Sequence, residues 1–389
     1  MSGHIYFEGD EFYDSLFSDL KSAQRSVFIE FYIFNYHPIG EKILSLLKWL
    51  ADEKRVRVKL MVDGVGSNSQ ISTIADYLAN SKVEFIVFKP VTIFSIFKSG
   101  IHRRNHRKLI IIDRKVCYLG GMNITEENSQ LLYGEARWRD TMLRLERNDS
   151  NSSFFRFLRA GALVLFESVR MGLYPVSFTA LLKLRNFTRL TTIPGFRRKL
   201  KRWQKRSRET EPKLFTTLFL RDRAYYRSEY VRLLMSAKEK LYLCAPYFVA
   251  SPRVMRLLRK KAKQGIDVRV LTAGKTDVWS ARQAGRSTYQ YLLKSGVRIY
   301  EMQNRVFHAK QSLIDNTAMI GSGNLDYRSF WHNQELMVLC TDQTLESELI
   351  IQWAKDINES HEIHLSIFRR RGWFEKLTEK FFYGFRYYL

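Results

Sequence analysis

Two stretches of the chain, His106-Arg107-Lys108-Leu109-Ile110-Ile111-Ile112-Asp113 and His308-Ala309-Lys310-Gln311-Ser312-Leu313-Ile314-Asp315, share one frame of His, Lys and Asp at identical spacing. Each runs on into a turn of small residues ending in Asn: Gly120-Gly121-Met122-Asn123 and Gly321-Ser322-Gly323-Asn324. Residues two apart on a strand point to the same face, so each frame sets an imidazole beside an ammonium. That pair suits a phosphate, with the imidazole as nucleophile or proton carrier and the ammonium as fixed positive charge. With ordinary residue usage such a frame arises by chance on the order of once per few hundred histidines. This chain has 8 histidines and spends two of them in matching frames.

The segments around the frames repeat as well, which is the main architectural signal. In the first half the pattern reads strand 26–34, helix 39–54, strand 56–62, helix 71–80, strand 83–88, then the first frame. In the second half it reads strand 241–248, helix 252–263, strand 268–272, helix 280–295, strand 297–301, then the second frame. Alternating strands and helices, with uninterrupted apolar strands such as Ile110-Ile111-Ile112, imply sheets covered on both faces. A duplicated unit of this kind can pack as a pseudo-dimer that brings equivalent sites together about a near two-fold axis. The expected division is a first unit at 1–150, a basic and apolar helical connector at 151–214, a second unit at 215–345, and an aromatic, basic helical tail at 346–389.

Breaking a phosphodiester without a metal needs a nucleophile, an acid for the departing oxygen, and cations on the phosphoryl oxygens. His106 and His308 can fill the first two roles near neutral pH. Lys108 and Lys310 can bear on the non-bridging oxygens, and Asn123 and Asn324 can donate from their amides. An imidazole nucleophile also needs a carboxylate to fix its tautomer. Asp113 and Asp315 complete the frames and count with His106, Lys108, His308 and Lys310 as candidate catalytic residues, although their place along the strand argues against their being the orienting acids. Asp140 and Glu335, which follow the frames at comparable distances, are the better orienting acids; an ion pair of Asp140 with Arg139 is the plainer alternative. Glu30, an acid on an apolar strand, either reaches the site or sits in a buried ion pair.

The duplicated frame with its trailing Gly-x-x-Asn resembles the phospholipase D superfamily. The neighbouring segments are similar to those of bacterial cardiolipin synthases: Ile29-Glu30-Phe31-Tyr32-Ile33-Phe34, Val62-Asp63-Gly64-Val65-Gly66-Ser67, Arg104-Asn105-His106-Arg107-Lys108 and Trp138-Arg139-Asp140-Thr141, then Tyr327-Arg328-Ser329 and Asn333-Gln334-Glu335. The resemblance implies an α/β, duplicated phospholipase D-like fold: two mixed β-sheets flanked by helices and packed as a pseudo-dimer with the active site at the interface. It also implies a covalent phosphohistidine on His106, His308 as acid and base, and Ser322 as a phosphate contact. The implied reaction transfers a phosphatidyl group to the headgroup hydroxyl of a second phospholipid. A phospholipase D-type hydrolase and a phospholipase D-family nuclease are the alternatives.

The formal net charge of +25 across 389 residues calls for an anionic partner. Nuclease grooves interleave basic residues with stacking aromatics; here the aromatics cluster with aliphatics, which favours lipid, and the resemblance implies phosphatidylglycerol as the substrate. The apolar run Val91–Lys98, ending at Arg103-Arg104, is a candidate wall for acyl chains. The acid-free basic run Lys183–Arg208 and the tail from Phe368, with its Trp, Phe and Tyr among cations, suit an anionic membrane surface. No window approaches the ~18 apolar residues of a spanning helix, and the start is mixed and acidic, without a secretory pattern. The expected location is therefore peripheral, on the cytoplasmic face of a bacterial cell membrane. Cys117, Cys244 and Cys340 are scattered in apolar runs, which suits buried free thiols. No metal or other cofactor is expected; His361 and His364 lack a third ligand.

Overall fold

The computed structural model describes residues 2–91, 103–148, 153–170, 212–217 and 220–388. The proposed acyl wall beyond Val91, the basic run Lys183–Arg208 and the rest of 171–211 lie outside the described residues.

The first sheet takes its strands from β1 (Ser2–Tyr6), β2 (Ser26–Phe31), β3 (Arg57–Asp63), β4 (Glu84–Phe88), β5 (Leu109–Ile112), β6 (Val116–Gly120) and β7 (Met142–Glu146). Their order is β1-β7-β6-β5-β2-β3-β4. The second half supplies β8 (Lys213–Thr216), β9 (Lys240–Cys244), β10 (Asp267–Lys275), β11 (Arg298–Val306), β12 (Gln311–Ile314), β13 (Thr317–Gly321), β14 (Leu336–Cys340) and β15 (Ser360–Glu362), in the order β15-β11-β10-β9-β12-β13-β14-β8. Reversed, the first sheet maps strand for strand onto the second, with β15 added at its edge. In both, the β2-β3-β4 and β9-β10-β11 triplets are parallel and the remaining pairs antiparallel. The mixed, duplicated architecture expected from the sequence is present.

Local chemistry explains the elements. All four residues of β5 and of β12 are buried; β5 is a continuous apolar run, as a sheet covered on both faces requires, whereas β12 also buries the polar Gln311 and Ser312. Helix α1 (Gly9–Lys21) precedes β2, and α2 (Pro38–Asp52) buries Ile43, Leu44, Leu47 and Leu50 at helical spacing. Its N-terminus is capped by His37, whose ring accepts from the Ile39 and Gly40 amides ahead of Pro38 at the first turn. Strand β2 stops at Phe31, short of the expected Phe34. There the chain leaves the sheet to pair Phe34 with Ile124, and the Asn123 side chain accepts from the Ile33 amide (3.1 Å).

Among the described residues four bodies of core result, the smallest gathering Leu271, Met302, Phe307 and Trp353. One lies under the helices of the first half, α2 and α3 (Ile71–Leu78) among them. A second lies under α5 (Leu220–Ser236), α6 (Pro252–Lys263) and α7 (Trp279–Leu293). The third is shared: Phe28, Leu109, Ile111 and Leu119 of the first sheet pack with Ala318, Ile320, Leu336 and Val338 of the second. Helix α4 (Ser153–Arg170), read from sequence as the start of a connector, adds Phe154, Phe155, Leu158 and Phe166 to this shared core. At roughly 1.5–3 kcal/mol for each large apolar side chain removed from water, this layer makes the two halves one unit. Leu345 and Leu349 of α9 (Gln343–Asn358) close its rim; α8 (Tyr327–Trp331), α10 (Leu365–Phe368) and α11 (Trp373–Gly384) complete the second half.

Candidate active site

Two short parallel bridges lace the halves together immediately before each frame. Asn105 pairs with Gln334, and Arg139 pairs with Phe307. The His106 amide donates to the Gln334 carbonyl (3.0 Å) and the His308 amide donates to the Arg139 carbonyl (2.8 Å). The next residue on each partner strand is the acid: Glu335 after Gln334, Asp140 after Arg139. The backbone therefore delivers each histidine to the carboxylate of the opposite half.

His106 Nδ1 faces two acceptors, the Ser322 carbonyl at 3.0 Å and Glu335 Oε2 at 3.2 Å. A carbonyl can only accept, so the hydrogen-bond network puts the ring proton on Nδ1 and leaves a lone pair on Nε2. The Tyr32 ring packs 5.0 Å from the imidazole. His308 is held differently. Its Nδ1 lies 2.6 Å from Asp140 Oδ2 and 2.9 Å from Lys310 Nζ, so an acceptor and a donor compete for one nitrogen. Trp138 packs 5.0 Å from this ring.

Both lysines are buried, and each donates to the carbonyl of its own frame histidine, Lys108 to His106 (2.8 Å) and Lys310 to His308. Burial, then the charge of Lys310, pulls the Lys108 ammonium down to about 7. Burial likewise lowers Lys310. Loss of water, reinforced by Lys108, takes His106 down to about 4, and burial followed by Lys310 lowers His308. Burial alone would raise the two acids, but Lys310 and His308 outweigh it at Asp140, and His106 and Lys108 outweigh it at Glu335, so both carboxyls sit below their usual range. The site thus packs two carboxylates and two lysines around two imidazoles.

The asymmetry between Gly121 and Ser322 has a packing cause. The Ser322 hydroxyl donates to Glu335 Oε2 (2.5 Å). A Cβ at Gly121 would fall 2.1 Å from Asp140 Oδ1. The Gly with Asp and the Ser with Glu are matched pairs that fill similar space with different atoms. Ser322 therefore supports an acid, where the sequence resemblance assigned it to phosphate. Asn324 is buried with its Oδ1 unpartnered, its amide N–H donating to the Ser329 hydroxyl (3.0 Å); the buried Asn123 is engaged by Ile33.

Asp113 and Asp315 require a correction, because neither is at the site. Asp113 Oδ atoms accept from the Gln24, Arg25 and Ser26 amides (2.8, 2.7 and 2.9 Å), and Asp315 accepts from Lys238, Glu239 and Lys240. Both stand in left-handed turns, at φ 51° and 48°, at the far end of the strand. Burial would raise Asp315, but the three amides hold it below the usual carboxylate range. These residues fix where β2 and β9 begin, and the frames matter to them only as strands of fixed length.

Other expected contacts are also resolved. The Asp140–Arg139 ion pair is not made; Arg139 is bidentate to the buried Asp356 of α9, both contacts 2.8 Å. Glu30 lies in the ion-pair alternative, accepting from Asn105 Nδ2 (2.7 Å) and lying 3.3 Å from the Arg107 guanidinium. Arg104 is committed to Asp63 and to the Lys89 carbonyl, and the Asn105 amide donates to Asp63 Oδ2. Glu30 and Asp63 thus hold the segment leading into His106. Sequence reasoning missed Asp63 and Asp356 as supports, and their only signal was a carboxylate on an otherwise apolar strand or helix face. Among the described residues, no group of three or more His, Cys, Asp or Glu is placed to hold a metal ion. The three cysteines are buried and free.

The family model described as "Cardiolipin synthase, PLD-like domain" matches residues 16–141 and 230–358, one match in each half. The chain belongs to that family. Cardiolipin synthase 2 of Bacillus anthracis is 30% identical over 377 residues, covering 95% of this chain and 67% of the relative. A cardiolipin synthase of Alkalihalophilus pseudofirmus is 28% identical over 378 residues, covering 96% and 70%. Among solved structures, the phosphatidylserine synthase of Haemophilus influenzae Rd KW20 aligns over 100% of this chain and 95% of its own, with a TM-score of 0.69 at 13% identity. At that identity the likeness speaks for the fold alone, and the fold it shares is the duplicated phospholipase D-like one.

Proposed function

We propose that the chain is a cardiolipin synthase-type phosphatidyltransferase that works through a phosphohistidine on His106. The observation that carries this is the unequal hydrogen bonding of the two imidazoles. The Ser322 carbonyl locks the His106 proton on Nδ1 and keeps a lone pair on Nε2, which is what a nucleophile needs. His308 shares its Nδ1 between Asp140 and Lys310, which suits a group that gains and loses a proton in each cycle.

In this reading His106 Nε2 attacks the phosphorus of phosphatidylglycerol, and the P–O bond to the headgroup breaks. The departing glycerol oxygen takes its proton from His308 Nε2. The headgroup hydroxyl of a second phospholipid then gives its proton back to His308, attacks the phosphohistidine and releases His106. Lys108 and Lys310 balance charge on the non-bridging oxygens. Burial depresses their proton affinity; a phosphodiester anion between them would restore it and raise that of His308, so that the acid is charged when substrate is bound. Asp140 and Glu335 keep the rings in register, and Asn123 and Asn324 line the end of each turn.

The partners on this reading are phosphatidylglycerol and an anionic membrane surface, with the enzyme peripheral on the cytoplasmic face. No helix among the described residues is long and apolar enough to cross a membrane. On this reading the first unit is 1–150, while the second takes in β8 at its start and runs on through α9 and β15, past the expected bound at 345. Incubating purified protein with phosphatidylglycerol and reading the lipids by mass spectrometry tests the proposal. Cardiolipin with an equivalent of glycerol is expected. Phosphatidic acid alone would make the protein a hydrolase, and no change in the lipid would remove the reading.

A further inference from the structure

The C-terminal helix α11 is amphipathic in the inverted sense. Its inner face carries carboxylates: Glu375 and Glu379 reach Arg286 of α7 (3.0 and 3.4 Å), and Glu379 also meets Arg371 (2.9 Å). Its outer face carries Trp373, Phe374, Leu377 and Phe381, continued by Phe385 just past its last residue, exposed by 76, 68, 55, 60 and 47%. At 100° per residue these five span an arc of about 120°. Single exposed apolar residues are ordinary, but a contiguous aromatic face with charges turned inward marks a surface meant to be covered. Exposed cations edge it, Arg369, Arg370 and Lys380, on a chain of net charge +25.

The C-terminal end of this helix is tied by contact to the walls of the site. Trp279, at the start of α7 and 54% exposed, meets Phe382 edge-on at 5.2 Å. Two residues earlier, Asp277 accepts from the Tyr247 hydroxyl (2.6 Å), and the Tyr247 ring lies 6.4 Å from His308. Just past the helix, Tyr387 packs at 4.4 Å on Tyr327, the first residue of α8, whose Ser329 holds the Asn324 backbone amide.

We propose that the outer face of α11, extended by Trp279, is the surface that docks the enzyme on an anionic lipid bilayer, setting the catalytic cleft against the leaflet that supplies its substrate. The proposal rests on the lipid-substrate reading above. Aromatic rings enter the headgroup boundary while Arg369, Arg370 and Lys380 meet lipid phosphates, the combination interfacial helices use.

Because the native cysteines are buried, an environment-sensitive fluorophore can be placed on Leu377→Cys, with Lys54→Cys as a control elsewhere on the surface. On vesicles of phosphatidylglycerol and phosphatidylcholine in equal parts, the label at 377 should shift to the blue and the label at 54 should not. The double variant Leu377→Glu/Phe381→Glu, on an exposed face that does not enter the fold, should bind these vesicles about ten-fold or more weakly. It should lose turnover on vesicles in proportion, yet keep wild-type turnover on monomeric short-chain phosphatidylglycerol. A wild-type protein inert on the short-chain lipid would remove the functional reading itself. An active wild type whose label at 377 stays unshifted, or a double variant that binds and turns over vesicles normally, would overturn the docking proposal alone. So would a wild-type dimer dispersed by the two substitutions, which would assign the face to a second copy of the chain.

Discussion

The two half-sites are copies in backbone and unequal in chemistry. His106 is gripped from behind by a carbonyl and a carboxylate that both accept, while His308 is gripped by a carboxylate that accepts and an ammonium that donates. The same inequality recurs one layer out, where Ser322 supports Glu335 and Gly121 leaves room for Asp140. A duplication starts with two equal sites; this one has been differentiated without moving a strand, by exchanging which atoms fill a fixed space. Because each acid meets the histidine of the opposite half, neither half by itself pairs a frame histidine with its carboxylate.

The sharpest way to break the equivalence is Gly121→Ser, which copies the second half-site into the first. Its Cβ would collide with Asp140 Oδ1 and displace the acid behind His308. Turnover should fall by about three to four orders of magnitude, matching Asp140→Asn, as when the orienting acid of a triad is lost. The reciprocal Ser322→Gly removes one hydrogen bond to Glu335 and should cost only about ten-fold. Equal losses from the two exchanges would mean the halves are not differentiated in this way.

Lys108 sharpens the comparison by charge. With its ammonium down at about 7 and His106 at about 4, kcat/KM on a monomeric substrate should rise through about pH 4 and fall through about pH 7, as His106 loses its proton and then Lys108 does. Lys108→Met should reduce turnover by about 100-fold or more and yet stabilise the protein by roughly 1–3 kcal/mol at pH 6, because burying a cation is costly. The sign follows from linkage: between about pH 7 and its unfolded value, the unfolded chain holds a proton on Lys108 that the folded chain does not. Stability therefore rises with pH over that window. Thermal melts of wild type and Lys108→Met from pH 6 to pH 10 should converge as pH rises. Parallel curves would contradict the assignment.

The smallest effect on catalysis should come from the frame aspartates. Asp113→Asn or Asp315→Asn should lower stability by roughly 1–3 kcal/mol through weakened amide contacts and leave kcat unchanged in the folded fraction. A loss of kcat on the scale of Asp140→Asn would return them to the catalytic set.

How much of this was legible follows from where each signal lives. The frames, the repeated order of elements and the orienting acids are local patterns, and β5, β12 and both histidines stand where those patterns put them. Asp113 and Asp315 misled because a fixed spacing marks them as part of the frame without saying whether a site or a turn fixes that spacing. Arg139 was read with its sequence neighbour Asp140, but its partner Asp356 sits 217 residues away on α9, a distance no local pattern spans. Whether a carbonyl or an ammonium faces an imidazole nitrogen depends on the register between halves. That register is set by the shared core and the two bridges, so the division of labour appears only once the halves are packed.

The most direct measurement is to trap the covalent intermediate with a short-chain phosphodiester bearing a good leaving group and to locate it by mass spectrometry. The adduct is expected on His106 in the wild-type protein. It should persist longer in His308→Ala, where leaving-group departure needs less acid but the base for the second step is gone, and be absent in His106→Ala. An adduct on His308 in the wild-type protein would invert the assignment of the two half-sites, and no adduct on either histidine would contradict the covalent mechanism.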